Sequence, residues 1–522
     1  MSAAPTKNPI AALANTPSNL IAGRYEPIEG DALVSFDPAQ RGRVVWSGAP
    51  VVDHVDQAVE AARYALKPWS RWEVDKRADV LLRYKALVQE RAGDIADLIA
   101  QETGKAMWDC KGEAAALAGK VDITLEQGPN TGRHRVSGFS LELADTKEGR
   151  CWFRPHGVMT VVGPFNFPAH LPNGHIVPAL LTGNTVVLKP SDKCPAIGQL
   201  IIELFQQALD ESGAPKGVVN LVQGKAEVAQ RLVNHDGIDG IAFTGSWPVG
   251  RKILEANLDR PGRIVALEMG GNNGVLVMPD ADLRQASIEI ARGAFVTTGQ
   301  RCTCGRRLIV HEAVADKLIP AILKAAGAMV IGPPRSEAPV FMGPIIDDHA
   351  RDAVLRFQSR AAERGGEILM QATAPASLEE GSYISPGVVR VDKFTAEDGD
   401  DAGCDVEVFG PMLRITTVGS YEEGIEQVNA TRYGLAASVF TRDDAVIEDF
   451  LADARAGCVN LNCATAGASS KLPFGGLGTS GNHRPAGAFA LDYTAYPVAG
   501  MLERGDAAVV APGMAFDDAW LS

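Results

Sequence analysis

Between residues 157 and 278 the chain alternates short β-branched runs with helical windows. The runs are 158–162, 185–188, 218–222 and 240–243, and the intervening windows include 197–212 and 226–234. Strand alternating with helix predicts a parallel sheet joined by crossover helices. Sheets of that kind bind ligands beyond the carboxyl ends of their strands. A second α/β block is expected from about 273 to 464, with strands near 307–310 and 437–440. Apolar residues recur at helical spacing over 55–66, 78–89 and 92–102. Near-alternation of apolar residues over 133–154 predicts a hairpin, and 488–501 predicts a terminal strand. Residues 1–27 read as a poorly ordered arm.

A chain of 522 residues with 46% hydrophobic content can bury a sizeable core, as about three domains or one split fold. The balance of 50 Lys+Arg against 64 Asp+Glu gives a net charge of −14. Such an acidic surface argues against nucleic acid or anionic membrane as a partner. No run of about 18 apolar residues predicts a membrane span, and residues 1–19 lack a secretory-type apolar segment. The eight cysteines are thinly spread, which predicts reduced thiols in a cytoplasmic protein. Cys302 and Cys304 form a single C-x-C arm without a second arm, so no metal site is expected.

Five local strings carry polar chemistry. Gly299-Gln300-Arg301-Cys302 places a cysteine after a glycine turn, beside a cation that favours thiolate; a buried structural thiol reads equally well. Leu267-Glu268-Met269-Gly270-Gly271 puts a carboxylate at a strand end, where an apolar cleft would make it a base near neutrality; a solvated turn Glu is the plainer alternative. Phe243-Thr244-Gly245-Ser246-Trp247-Pro248-Val249-Gly250 reads as strand, turn and helix start, with Ser246 as cap and free N–H groups suited to phosphate. It lacks the usual G-x-G-x-x-G pattern, so an ordinary connection is its default. In Val162-Gly163-Pro164-Phe165-Asn166-Phe167-Pro168 an amide sits on a rigid loop and can serve an oxyanion, or be a turn Asn. Lys189-Pro190-Ser191-Asp192 follows a strand and could hold ribose hydroxyls, or be a solvated loop.

In this order, and with Gly183-Asn184-Thr185, Glu407-Val408-Phe409-Gly410-Pro411 and Pro473-Phe474-Gly475-Gly476, these strings resemble the aldehyde dehydrogenase superfamily over about residues 20–500. Further strings resemble its succinylglutamate semialdehyde dehydrogenases, an arginine-catabolic subgroup. They are His170-Leu171-Pro172-Asn173-Gly174-His175, Asn272-Asn273, Thr303-Cys304 and Ser480-Gly481-Asn482-His483-Arg484-Pro485.

The resemblance implies an α/β fold. A Rossmann-like NAD-binding domain would span 28–132 and 155–270, a catalytic domain 271–470, and an oligomerisation arm 133–154 with 485–505. It implies oxidation of an aldehyde to an acid, N-succinylglutamate 5-semialdehyde being the expected substrate, by a homodimer or homotetramer. Cys302 would attack the aldehyde, Asn166 would hold the oxyanion, and Glu268 would activate water. Lys189, Ser191, Asp192, Phe243, Gly245, Ser246, Gly250, Gly270, Glu407 and Phe409 would bind the cofactor. Arg301, His170, Leu171, Phe474, His483 and Arg484 would meet the substrate. Asp192 stands where NAD-using relatives commonly carry Glu, so NAD is expected and NADP stays open. Three rivals remain: a non-catalytic binding protein on the same fold, a CoA-acylating enzyme, and a dehydrogenase for another aldehyde. Glu268 favours hydrolysis over CoA acylation.

Overall fold

The computed structural model describes residues 12–506 and 508–522. A first seven-stranded sheet runs in the order Ile264–Glu268, Gly240–Thr244, Val158–Val162, Thr185–Lys189, Val219–Leu221, Ser18–Ile21 and Arg24–Pro27. The first five strands are parallel. Val158–Val162 and Thr185–Lys189 are buried at every position, the pattern of strands covered on both faces. The covering helices include His54–Ser70, Pro195–Glu211 and Ala226–Asn234. His54–Ser70 buries Val55, Ala58, Val59, Ala62, Ala65 and Trp69, one stripe at helical spacing.

The expected arm over 1–27 is revised where it can be seen. Residues 1–11 lie outside the described residues, but Ser18–Ile21 and Arg24–Pro27 extend the sheet as antiparallel strands. Ser18–Ile21 is buried throughout. Its polar residues are satisfied inside: the Gln223 N–H donates to Asn19 Oδ1 at 2.7 Å, and the Ser18 N–H to Gln199 Oε1 at 3.2 Å.

The second seven-stranded sheet has the order Glu367–Met370, Gly387–Arg390, Met412–Val418, Gly305–His311, Asn273–Val277, Ala436–Phe440 and Cys458–Leu461. All neighbours are parallel except the first pair. A third sheet pairs Phe139–Ala144, Lys147–Pro155 and Ala495–Glu503 antiparallel. The hairpin therefore starts later than expected, because Gly132–Val136 forms a 3-10 turn. The terminal strand is also displaced, since Ala490–Tyr493 is a 3-10 turn. Among the described residues no helix is long and apolar enough to cross a membrane.

Candidate active site

The register of the first sheet gathers four of the five strings. Thr244 stands beside Glu268, Phe243 beside Val162, and Val162 beside Lys189. The segments leaving these strands therefore emerge side by side along one carboxyl edge, where parallel sheets place their ligand sites.

The fifth string arrives on a strained loop. Thr297 and Thr298 have φ of 55° and 54°, and Gly299 follows at 71°. Left-handed backbone at two threonines costs energy and persists only where the surroundings fix it. Here the Thr297 hydroxyl donates to Asp109 Oδ2 at 2.6 Å, and the Thr298 hydroxyl to the Gly343 carbonyl at 2.8 Å. A Cβ on Gly299 would lie 2.1 Å from the Gly410 carbonyl oxygen, so this glycine allows a backbone-to-backbone approach. Buried Arg306 donates to the Gly299, Arg301 and Val408 carbonyls. Asn273 Nδ2 donates to the Cys302 carbonyl at 2.7 Å and the Cys304 carbonyl at 2.8 Å. The loop is thus fixed from three elements, and Cys302 is carried on it.

Cys302 and Glu268 line one cavity of about 440 Å³. Cys304 is fully buried, with its thiol toward the Val296 carbonyl. Glu268 is 5% exposed, and its Oε2 is buried without a hydrogen-bond partner. Burial pushes the Glu268 carboxyl well above the usual range, opposed by the Ala486 backbone N–H. Burial also pushes the Cys302 thiol up, with Glu407 and Glu268 adding to the rise and Arg306 opposing it. The thiol can attack a carbonyl carbon once it has lost its proton, and the carboxyl can take a proton only in its ionised form, which grows as pH rises. Asn166 is buried, and its Nδ2 donates to the Gln300 carbonyl at 2.9 Å, two residues before Cys302. That bond orients the amide toward the cysteine loop.

Of the expected substrate residues, Arg301, His170, Leu171 and Phe474 line the cavity. His483 and Arg484 do not: both are exposed, and Arg484 donates to the His483 carbonyl at 3.1 Å. Arg301 also needs correction. Its guanidinium pairs with Asp109 at 2.8 Å and donates to the Thr297 hydroxyl at 2.8 Å. It does not hold Cys302 as thiolate, because burial dominates that thiol and the opposing cation is Arg306. Burial, with Lys120 and Lys105 nearby, pushes His170 down to about 4, so it is neutral at physiological pH.

Among the expected cofactor residues, Lys189 is buried and donates to the Pro190 carbonyl at 2.7 Å. Burial pushes it down to about 8, opposed by Asp192. Ser191 Oγ accepts from the Lys193 N–H at 3.2 Å, and Asp192 is half-buried. The helix Trp247–Ala256 starts at exposed Ser246, whose side chain makes no cap hydrogen bond, contrary to the expected capping role. Gly245 and Gly250 let the turn close: added Cβ atoms would meet the Phe243 ring at 2.4 Å and Met269 Sδ at 2.3 Å. The Glu407 carboxylate fills the place of a Cβ on Gly270 and accepts from the Gly271 N–H at 3.0 Å. Phe409 meets Phe165 edge-on at 5.8 Å, and both line a second cavity of about 490 Å³ with Glu407.

Sequence reading missed Lys120, His175 and Thr244 in the first cavity. His175 Nδ1 lies 2.6 Å from the Tyr493 hydroxyl, and Nε2 lies 3.4 Å from the Thr244 hydroxyl. Thr244 and His175 stood inside quoted strings. Lys120 had no local signal.

Residues 28–497 match the aldehyde dehydrogenase family. The chain is 44% identical to the N-succinylglutamate 5-semialdehyde dehydrogenase of Caulobacter sp. (strain K31), over 92% of this chain and 95% of that protein. It is 40% identical to the protein of the same name from Hahella chejuensis, over 95% and 99%. Among solved structures, the NAD-dependent aldehyde dehydrogenase of Sinorhizobium meliloti superposes with a TM-score of 0.88 at 28% identity, covering 97% of this chain and 99% of that one. The NADP-dependent glyceraldehyde-3-phosphate dehydrogenase of Bacillus halodurans superposes with a TM-score of 0.84 at 29% identity, covering 94% and 100%.

Proposed function

The chain belongs to the aldehyde dehydrogenase family, oxidoreductases acting on aldehydes, and from that premise we propose that it oxidises N-succinylglutamate 5-semialdehyde to N-succinylglutamate with a nicotinamide dinucleotide. The observation that carries the chemistry is that Cys302 and Glu268 share one cavity at the carboxyl edge of a parallel sheet. The observation that carries the substrate is the likeness to curated relatives of that name over most of the chain.

The residues along the edge suit a dinucleotide. The helix Trp247–Ala256 presents an N-terminus that no side chain caps, as a pyrophosphate requires. Lys189 keeps donors free beyond its one bond to Pro190 and would meet the adenosine ribose with Ser191 and Asp192. Glu407 would meet the nicotinamide ribose, and Phe409 would flank the ring. NAD is the proposed nucleotide. The first sheet and its helices would form the dinucleotide-binding part, the second sheet the catalytic part, and the third an oligomerisation arm. We place the enzyme in the cytoplasm as a homodimer or homotetramer.

In this reading Cys302 attacks the aldehyde carbon, and its proton passes to a base. The Asn166 amide and the Cys302 backbone N–H hold the oxyanion. The dinucleotide, when bound, supplies the hydride acceptor that converts the thiohemiacetal to a thioester. Glu268 then takes a proton from water as it attacks the thioester carbonyl, and the Cys302 thiolate leaves with the acid released.

The test is NAD(P)H formation with N-succinylglutamate 5-semialdehyde and a neutral aldehyde of similar length, each with NAD and with NADP. The expected result is a kcat/KM ratio of roughly 10² or more for the carboxylated aldehyde, from at least two charge-assisted contacts. Equal kcat/KM values would overturn the substrate assignment and leave an aldehyde dehydrogenase for another substrate.

A further inference from the structure

Among the charged groups around the 440 Å³ cavity, Arg301 and Glu113 are paired, Glu268 is held toward its neutral form by burial, and Lys120 is the one cation without a carboxylate partner among the described residues. Arg301 is held by Asp109 at 2.8 Å. Glu113 is held by Lys105 at 2.6 Å, and its other oxygen accepts from the Ala169 and His170 N–H groups. Lys120 lies on the same helix as Asp109 and Glu113, Met107–Leu125. It is 3% exposed, yet among the described residues no carboxylate lies within 4.0 Å of it. Its ammonium makes one hydrogen bond, to the Gly487 carbonyl at 2.5 Å. An ammonium carries three donors, so two remain for whatever enters.

A buried cation without a counter-charge is costly. Its one bond to Gly487 uses a single donor, and a Met of similar length would fill the same space without the cost of burying an ammonium. Beside it stands His170, which lines the same cavity with Nδ1 buried and without a partner. Two under-used polar groups, both close to an aldehyde-sized space, describe a receptor for an anion.

We propose that Lys120, with His170 beside it, is the group of this cavity that recognises a carboxylate on the tail of the substrate aldehyde. The assignment rests on the carboxylated-semialdehyde reading above and replaces the cations first expected to do this work. Arg301 is committed to Asp109, and His483 and Arg484 lie outside the cavity. An entering carboxylate would accept from the free Lys120 donors, with His170 contributing when its Nδ1 carries the proton. Ser469 and Ser470 line the same cavity and offer hydroxyl donors for a remaining oxygen.

Burial pushes Lys120 down to about 7. The titratable groups around it are His170 and His175 from the helix His170–Leu181, Glu113 and Asp109 on its own helix, and Glu268 and Arg301 on the cavity wall. Cys302 and Glu268 ionise in the reaction of any aldehyde. Their contribution therefore cancels when a carboxylated aldehyde is compared with a neutral one of equal length. In wild-type enzyme, the ratio of the two kcat/KM values should fall by roughly tenfold or more as Lys120 loses its proton above pH 7.

The experiment is that ratio, measured from pH 6 to 9 for wild type and for Lys120→Met. At pH 6.5, Lys120→Met should lower the preference for the carboxylated aldehyde roughly 10- to 100-fold and flatten its pH dependence. If wild type prefers the carboxylated aldehyde and Lys120→Met keeps that preference, the Lys120 assignment is overturned while the proposed substrate stands. If wild type shows no preference at any pH, both fall together. Should Lys120→Met fail to fold, Lys120→Leu takes its place, and a Leu variant that keeps the wild-type preference for the carboxylated aldehyde overturns the assignment.

Discussion

The Arg301 guanidinium, one residue before the cysteine that lines the 440 Å³ cavity, donates to Asp109 Oδ1 at 2.8 Å. Asp109 Oδ2 meanwhile accepts from Thr297, the first of the left-handed residues. One carboxylate thus ties the helix Met107–Leu125 to both ends of the turn that carries Cys302. Asp109→Ala should cost about 3–5 kcal/mol, the range for leaving one partner of a buried ion pair alone. Denaturant unfolding of wild type and variant measures it.

The same pair predicts a pH dependence. Burial acts to raise the Asp109 carboxyl, but Lys105, Arg301 and Thr297 outweigh it and hold the group below its ordinary value. A depressed carboxyl binds fewer protons folded than unfolded, so its contribution is present above the unfolded value of about 3.9 and is lost as pH falls below that. Asp109→Asn should therefore lose stability at neutral pH and show a shallower loss between pH 5 and 3 than wild type. Parallel acid limbs in the two proteins would contradict this.

Gly299 makes a sharper test of the loop. Its φ is 71°, and an added Cβ would lie 2.1 Å from the Gly410 carbonyl oxygen, which leaves no place for a methyl group. Gly299→Ala should destabilise the fold by more than the roughly 1 kcal/mol of a tolerated glycine change. It should also displace Cys302, so that turnover falls more than thermal stability alone accounts for. Thermal melts and initial rates on the same preparation separate the two effects.

Four of the five strings that form the site were legible because each lies at a strand end, a local feature of sequence, and the fifth, Gly299-Gln300-Arg301-Cys302, because a glycine turn precedes a cysteine. The Ala226–Asn234 helix was read to the residue because Val228, Leu232 and Val233 make a one-sided stripe. Helix Met107–Leu125 escaped notice because small and charged residues are buried along it, including Asp109, Glu113 and Lys120, and no apolar stripe results. Glu113 has one near partner in Lys105, but Asp109, Glu113 and Lys120 are otherwise met by residues far along the chain, such as Arg301, Ala169 and Gly487. Ser18–Ile21 was missed for a related reason. Its buried Ser and Asn read as surface until Gln199 and Gln223 are brought beside them.

Cys302 and Cys304 separate cleanly by position. Cys302→Ala should abolish turnover while nucleotide binding persists. Cys304→Ala should retain most activity, because its thiol faces the Val296 carbonyl and does not line the cavity. Burial lifts the Cys302 thiol, so its alkylation by iodoacetamide in the nucleotide-free enzyme should still be accelerating at pH 9. A plateau below pH 8 would show a thiolate stabilised by a cation.

Glu268 carries the last prediction. Its carboxyl is raised by burial, and Oε2 has no partner. In the free enzyme it is therefore protonated over a wider pH range than an ordinary carboxylate, and its basic form grows as pH rises. If it activates the water that hydrolyses the thioester, that step should accelerate with pH. Glu268→Gln keeps the shape of the side chain and removes the base. Mixing that variant with aldehyde and nucleotide should release about one NAD(P)H per active site in a burst, because acylation and oxidation still proceed. The steady rate afterwards should fall by roughly 10²- to 10⁴-fold, the range for a lost general base. The pH-dependent rise in that rate should disappear with it. A variant that kept the wild-type steady rate would assign the water to another base, and His175, which lines the same cavity beside Thr244, would be the group to test next.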